Sequence, residues 1–325
     1  MGIINKKQQN VKTFDLRKEK PKVLLLGNGL SRAYNASSWD YFLDCINRKK
    51  TEFPNPDKND MPMSMKIILL TDNHVGEAMK ENKEYFLKDF YDNLDDEIYE
   101  QIKKLYDCNF DYILTTNYSY ELEYAIYGER FTENRLKVIQ KYIDVDRAEP
   151  KYMLHTFNQL DYRNKQIDIW HIHGEARKPD SMIIGSYYYA CLTSKIVDVL
   201  SGINYRKDNG KNINVVSIKN WAEALFYGDV YVLGFGYDYS EQDLWWLLNK
   251  KANETKIEIG RVFYYEPDKD DEVLIKKSLL NVFGVQTEGL NLGYKGQLDD
   301  YKPFYKDAID DISIKLRNRI EEEKL

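Results

Sequence analysis

Short apolar runs that show no alternation constrain this chain more than any other feature. Val23–Leu26, Phe110–Thr115, Ile167–Ile172, Val230–Leu233 and Arg261–Tyr265 are each four to six residues long, and Pro21 and Gly27 bound the first. A strand with one wet face alternates apolar and polar residues, whereas a strand covered on both faces reads as a nearly continuous apolar run. Longer stretches of helical periodicity separate the runs. The expected fold is therefore α/β, a doubly wound, mostly parallel sheet of about six strands with helical insertions. Ser181–Ile184 and Val282–Gln286 are further strand candidates, and Ala308–Glu323 reads as a closing helix. Ser31–Arg48 reads as a helix interrupted near Asn35–Ser38, where a new cap restarts it. Residues 1–20 read as a polar, loosely packed N-terminal arm. Residues 21–325 read as a single domain with helical inserts near 50–106, including the amphipathic EYFLKDFYDNL, and near 128–166.

With 325 residues, 43% hydrophobic and 31% charged, the chain has ample material for a full core. A formal net charge of −6 and a pI near 5.5 argue against reliance on an overall basic field, so direct nucleic-acid binding is not expected. Cys45, Cys108 and Cys191 are scattered and form no CxxC pair. They read as small buried hydrophobes in a reducing compartment, with no disulfide framework and no cysteine-rich zinc site. No apolar run approaches the ~20 residues that span a bilayer, and the first residues lack the apolar core of a signal peptide. The expectation is a cytoplasmic protein with no membrane association.

In an open parallel sheet, ligands bind just beyond the carboxyl ends of the strands, so residues following the apolar runs are the place to look for chemistry. The first run ends in Gly27-Asn28-Gly29, where glycine tolerates positive φ and allows backbone N–H groups near a pyrophosphate. Ser31 and Arg32 add a hydroxyl and a positive charge. A tight turn without a ligand is the alternative, because the third glycine of the dinucleotide fingerprint is missing. The second run ends in Thr115-Thr116-Asn117-Tyr118. Asn117 either caps the next helix or uses its amide to orient a ribose hydroxyl, a carboxamide or a water.

The third run carries His171 and His173, two apart on one strand face. No third ligand accompanies them, so no metal is expected. His173, just before Gly174, suits a general base facing the crevice, and His171 a structural role. Glu175 reads as pairing with Arg177 at the surface. GFGYDYSEQDLWW follows the next run: Gly234 and Gly236 permit close backbone approach, Asp238 or Ser240 can meet a ribose, and Asp243 serves the first turn of a helix. Trp245 and Trp246 read as core or interface aromatics, and His74 and His155 as incidental.

In this order, GxGxS, TTNY, HxHG and LGFGYDYSEQDL resemble the SIR2-like family of NAD-consuming proteins, which includes domains of bacterial anti-phage systems. The resemblance spans about Val23 to Lys250. It implies a Rossmann-like fold in which Gly27, Gly29 and Ser31 form the phosphate-binding turn and Gly234 and Gly236 contact the adenosine side of NAD; Asn28, Arg32, Tyr118, Asp238 and Ser240 stand beside them as further candidate NAD contacts. Asn117 and His173 occupy the family's catalytic asparagine and histidine positions. Protein-deacylating members carry a four-cysteine zinc module, which three scattered cysteines cannot form, so deacylation is not expected.

The resemblance thus implies an NAD glycohydrolase that cleaves the nicotinamide–ribose bond, with NAD as substrate and no metal. It also implies an effector of abortive infection held off until triggered, acting as a homo-oligomer or with a defence-system partner. Two alternatives remain open. One is a non-catalytic sensor that binds NAD or ADP-ribose. The other is a toxic subunit active only within a complex.

Overall fold

Alternation inside the apolar runs sends their side chains to two opposite faces, and both faces are covered. The structure, a computed structural model, describes residues 5–7, 11–36, 38–47, 61–82, 94–127, 152, 154–155, 157–201, 214–267, 271–288 and 301–322. The strands are β1 (Asn5–Lys7), β2 (Lys12–Asp15), β3 (Lys22–Leu26), β4 (Tyr112–Thr115), β5 (Phe157–Tyr162), β6 (Lys165–His171), β7 (Val215–Ile218), β8 (Asp229–Leu233), β9 (Val262–Tyr265) and β10 (Val285–Glu288). Leu24 and Leu26 of β3, Ile113 of β4, Tyr231 and Leu233 of β8, and Phe263 and Tyr265 of β9 enter one buried cluster. Val23, Leu25, Leu114, Val230, Val232, Val262 and Tyr264, their sequence neighbours, enter the other. Burial on both faces is why these strands read as unbroken apolar runs.

The first face is packed by α1 (Asn28–Ala33), α2 (Trp39–Ile46), α3 (Met63–Thr71), α4 (Glu97–Asp107), α5 (Glu121–Tyr127) and, from the far end of the chain, α10 (Tyr301–Glu322). The second is packed by α6 (Ser186–Ser201), α7 (Trp221–Tyr227), α8 (Gln242–Ala252) and α9 (Asp271–Val282). The expected restart after α1 is present: Ser38 caps α2, its Oγ accepting the Tyr41 N–H at 3.1 Å.

The main sheet has the order β1-β5-β6-β4-β3-β8-β9-β10. From β6 to β10 every pairing is parallel. Counting these six in chain order gives 3-2-1-4-5-6, the arrangement of Rossmann-like sheets, whose strand order reverses between strands 1 and 4. Here that switch point lies between β3 and β8.

Three expectations change. The N-terminal arm is not loose throughout: β2 pairs antiparallel with β7 and β1 with β5, while Phe14 and Leu16 are buried. Its polar composition hid two well-spaced apolar anchors. Ser181–Ile184 is not a strand; a 3₁₀ turn (Pro179–Ser181) leads into extended chain whose Ile183 N–H donates to the His173 carbonyl at 2.8 Å. Within the 128–166 insert, 157–162 forms β5, antiparallel to β6, rather than helix. Residues 128–150 and EYFLKDFYDNL up to position 93 lie outside the described residues. No helix among the described residues is long and apolar enough to cross a membrane.

Candidate active site at the switch point

The two glycine turns meet each other before they meet anything else. Gly27 N–H donates to the Leu233 carbonyl at 2.9 Å and Gly29 N–H to the Gly234 carbonyl at 2.7 Å. A Cβ on Gly29 would press on the Tyr305 hydroxyl and come within 2.8 Å of Gly234 Cα. Gly234 itself has φ +66°, and a Cβ there would lie 2.6 Å from Leu30 N. Glycine is thus required to let the ends of β3 and β8 touch. The N–H groups of Gly27 and Gly29 are engaged across the switch point instead of being held ready for a phosphate.

A cavity of about 600 Å³ opens above this junction, at the carboxyl ends of β3, β4, β6, β8 and β9. That volume lies within the usual range for small-molecule sites. Of the residues expected from sequence, Asn28, Gly29, Arg32, Asn117, Tyr118, His173, Gly234, Gly236 and Asp238 line it. Gly27, Ser31 and Ser240 do not reach its wall. Ser31 is buried and donates to Glu121 Oε1 at 3.2 Å. Ser240 shapes its own loop, its N–H and Oγ both donating to Asp238 Oδ1, at 2.8 and 2.6 Å. Arg32 is exposed at the cavity and has no ion-pair partner among the described residues.

Asn117 is 6% exposed and does not cap a helix with its side chain. Its Nδ2 donates to Glu121 Oε1 at 2.5 Å, and its backbone N–H donates to Thr115 Oγ1 at 3.0 Å. The side-chain Oδ1 carries no hydrogen bond among the described residues. Glu121 is a buried hub that the sequence did not reveal, since it also accepts the Ser119 hydroxyl at 2.6 Å.

His171 holds the same asparagine from the other side. Its two ring nitrogens face two acceptors, the Asn117 carbonyl at 2.8 Å and Glu123 Oε1 at 2.8 Å. Both nitrogens must then donate, which describes an imidazolium. Burial alone would lower its pKa, but the Glu123 charge and hydrogen bond, with Glu175 behind, raise it to about 9. Glu175 does not lie at the surface as expected: it is fully buried and accepts the Tyr120 hydroxyl at 2.9 Å. Tyr106 and Tyr120, buried near these carboxylates, have hydroxyl pKa values pushed well above the usual range, first by burial.

His173 is 1% exposed, with its ring edge-on to Tyr189 at 5.4 Å between centroids. Its Nε2 lies 2.9 Å from Oδ2 of Asp243, which is wholly buried. An acidic residue in the first turn of α8 is thus the histidine's partner, beyond any service to the helix end. The carboxylate accepts Nε2–H, which leaves Nδ1 as the nitrogen with a lone pair and no partner among the described residues.

The wall also holds residues that motif reading missed: Phe42, Glu241, Glu266, Lys276, Tyr301 and Tyr305. Burial first, then Asp243 and Asp238, pushes the Glu241 carboxyl well above the ordinary range. Glu266 directly follows the last apolar run, so its position was legible; the tyrosines of α10, far off in sequence, gave no signal. Trp245 is partly buried and packs between Tyr237 and Phe283, and among the described residues His74 and His155 bond to backbone carbonyls. Cys108 is buried, while Cys45 and Cys191 are half-buried. Comparison with protein-family models and with curated proteins gives no match to this chain.

Proposed function

We propose that this chain binds NAD across the β3–β8 switch point and hydrolyses its nicotinamide–ribose bond to nicotinamide and ADP-ribose. One observation carries the reading. Asn117 and His173, the latter backed by buried Asp243, line the same cavity that opens over the meeting glycine turns. That joins a dinucleotide-sized crevice to a fixed amide and a fixed imidazole.

The residues divide the work as follows. Arg32 is placed to meet the pyrophosphate charge. Asn117, with Nδ2 tied to Glu121, offers Oδ1 to a ribose hydroxyl or to the attacking water. Loss of nicotinamide neutralises a cationic ring, so no general acid is needed, and the ribosyl carbon passes through an oxocarbenium-like state. His173 Nδ1 accepts the proton from the water, or first from a ribose hydroxyl, as the new C–O bond forms. Asp243 holds the resulting imidazolium, and the proton then leaves to solvent. A triggered role in anti-phage defence, with a second copy or a partner protein, is part of the same proposal and is supported by the order of the motifs.

The test is incubation of the purified chain with NAD and chromatography of the products. Nicotinamide and ADP-ribose are expected from wild type, with release slowed about 10²- to 10⁴-fold in Asn117→Ala and His173→Ala. Full activity in both variants would sink the assignment. A wild type that binds NAD and never releases nicotinamide, alone or in lysate, would identify a sensor instead.

A further inference from the structure

Charged side chains are spread unevenly around the cavity wall. Arg32 stands on α1, just past β3, while Lys276 is held by the Gly236 carbonyl, to which its Nζ donates at 2.9 Å. Two acids of the wall follow β8: Asp238, and Glu241 at the cap position of α8. Asp238 Oδ1 already takes two hydrogen bonds from Ser240. Glu241 is half-buried, and its Oε2 accepts the Asp238 N–H at 3.1 Å. The other oxygen of Glu241 carries no hydrogen bond among the described residues.

Glu241 belongs to the His173 end of the cavity. It precedes by two residues Asp243, the partner of His173. Tyr118 follows Asn117 in the chain, and the ring of Tyr189 meets His173 edge-on. Both tyrosine hydroxyls are pushed well above their ordinary range, by burial first and by the Glu241 charge next. Around the carboxyl itself stand Asp243 and Asp238 from its own segment, Lys276 from α9, and the hydroxyls of Tyr118, Tyr189 and Tyr237. Burial and the two aspartates favour its protonated form; only Lys276 opposes them with a charge.

We propose that Glu241 faces the nicotinamide ring and makes the site select the oxidised, cationic dinucleotide over the reduced, neutral one. This deepens the reading above and rests on it. With the pyrophosphate at Arg32 and the reacting ribose at Asn117 and His173, the ring comes to the carboxyl oxygen that has no other partner. A cation against a carboxyl favours the ionised form, so Glu241 gives its proton to solvent as the ring enters. The pair that results is a carboxylate and a pyridinium. A dihydronicotinamide ring carries no charge, leaves the acid protonated and gains nothing from it. Once the bond to ribose breaks, the departing nicotinamide is neutral, and the carboxylate takes a proton back from solvent.

The experiment titrates wild type and Glu241→Gln by calorimetry with three ligands: the carbocyclic analogue of NAD, NADH and ADP-ribose. The analogue keeps the cationic ring but cannot form an oxocarbenium, so turnover does not interfere. Wild type is expected to bind the analogue about 10-fold more tightly than NADH. Titrations at neutral pH in two buffers of different ionisation enthalpy should show about one proton released with the analogue and none with NADH or ADP-ribose. Glu241→Gln keeps the shape and can still accept the Asp238 N–H; it should lose both the preference and the proton release, with ADP-ribose affinity unchanged. Equal affinities in wild type, no proton release, or persistence of either effect in the variant overturns the role of Glu241 and leaves the NAD site standing. A variant that loses ADP-ribose as far as the analogue also overturns it, because Glu241 then serves more than the ring. Failure of wild type to bind any of the three removes the NAD reading and this inference together.

Discussion

Replacing Asp243 with asparagine tests the proposed base through its one carboxylate partner among the described residues. The His173 Nε2–Asp243 Oδ2 distance is 2.9 Å, both groups are buried, and Asp243 Oδ1 has no hydrogen-bond partner among the described residues. Asparagine has two ways to fit, and each is unfavourable. With its amide oxygen toward Nε2–H the tautomer survives, but the NH₂ then fills the Oδ1 position, where nothing accepts it; a buried donor left unsatisfied costs about 1–3 kcal/mol. Turned the other way, the NH₂ donates to Nε2, which drives the proton to Nδ1 and removes the lone pair the reaction needs. Either way the imidazolium loses its counter-charge. The same substitution in the serine-protease triad lowers turnover about 10⁴-fold through the wrong tautomer. A loss of about 10²- to 10⁴-fold in kcat is expected here, with ADP-ribose affinity nearly unchanged. Nicotinamide release at saturating NAD reads the first quantity and calorimetry the second. Turnover within threefold of wild type, with normal affinity, would refute the argument that Asp243 sets the state of His173.

Three further outcomes follow from the same structure. His171, with a folded pKa of about 9 against ~6.5 when unfolded, should contribute stability that is complete below pH 6.5 and is lost as pH rises through 9, about 3 kcal/mol in all. Urea midpoints should fall over that window and its ring signals titrate near 9; a flat profile with titration near 6.5 refutes the imidazolium. Gly29→Ala should lower stability by about 1–3 kcal/mol, because its Cβ meets Gly234 as well as Tyr305. Adding Tyr305→Phe should restore only part of the loss, and complete recovery in thermal melts would show that the backbone approach does not matter. Lys251 donates to the carbonyls of Leu225, Phe226 and Gly228 at 3.1, 2.8 and 2.7 Å, closing the C-terminal end of α7. Lys251→Met should therefore cost about 2–4 kcal/mol in chemical unfolding, and a neutral effect would mean those carbonyls find water.

What was legible in the sequence followed local rules. The unbroken runs at Val23, Val230 and Val262 announced strands covered on both sides, and the turns after them announced where a crevice opens. What was not legible depended on residues far apart in the chain. His173 and Asp243 are 70 positions apart, and only the tertiary fold brings them together. Glycine was expected at Gly27 and Gly29 for the sake of a ligand. The structure gives a prior reason, the contact of two turns about two hundred residues apart. Glu175 looked like a surface acid because Arg177 follows closely, yet the chain turns it inward toward Tyr120. β5 was hidden because Asn158 and Gln159 break its apolar pattern, and Asn158 is buried only because Glu123 accepts its amide N–H at 2.8 Å.

Those buried polar groups share one purpose in the fold. The first turn of α5 carries two acids, Glu121 and Glu123, and each fixes one end of Asn117. Glu121 takes the side-chain amide directly, while Glu123 holds His171, whose other nitrogen donates to the Asn117 carbonyl. An asparagine at a strand end would otherwise sample several rotamers and could turn to cap the helix. Clamped from both sides, it presents one oxygen in one direction. Buried charges are a poor source of net stability, since desolvation offsets most of their attraction. Under the proposed reaction their value is preorganisation, because side chains that are themselves hydrogen-bonded hold Asn117 in one arrangement. The same logic explains why His173 relies on a wholly buried carboxylate when an exposed one would be easier to accommodate. Under the proposed hydrolysis the acids around Asn117 and His173 have a clear use, because there the position of a single oxygen and a single nitrogen would decide the rate.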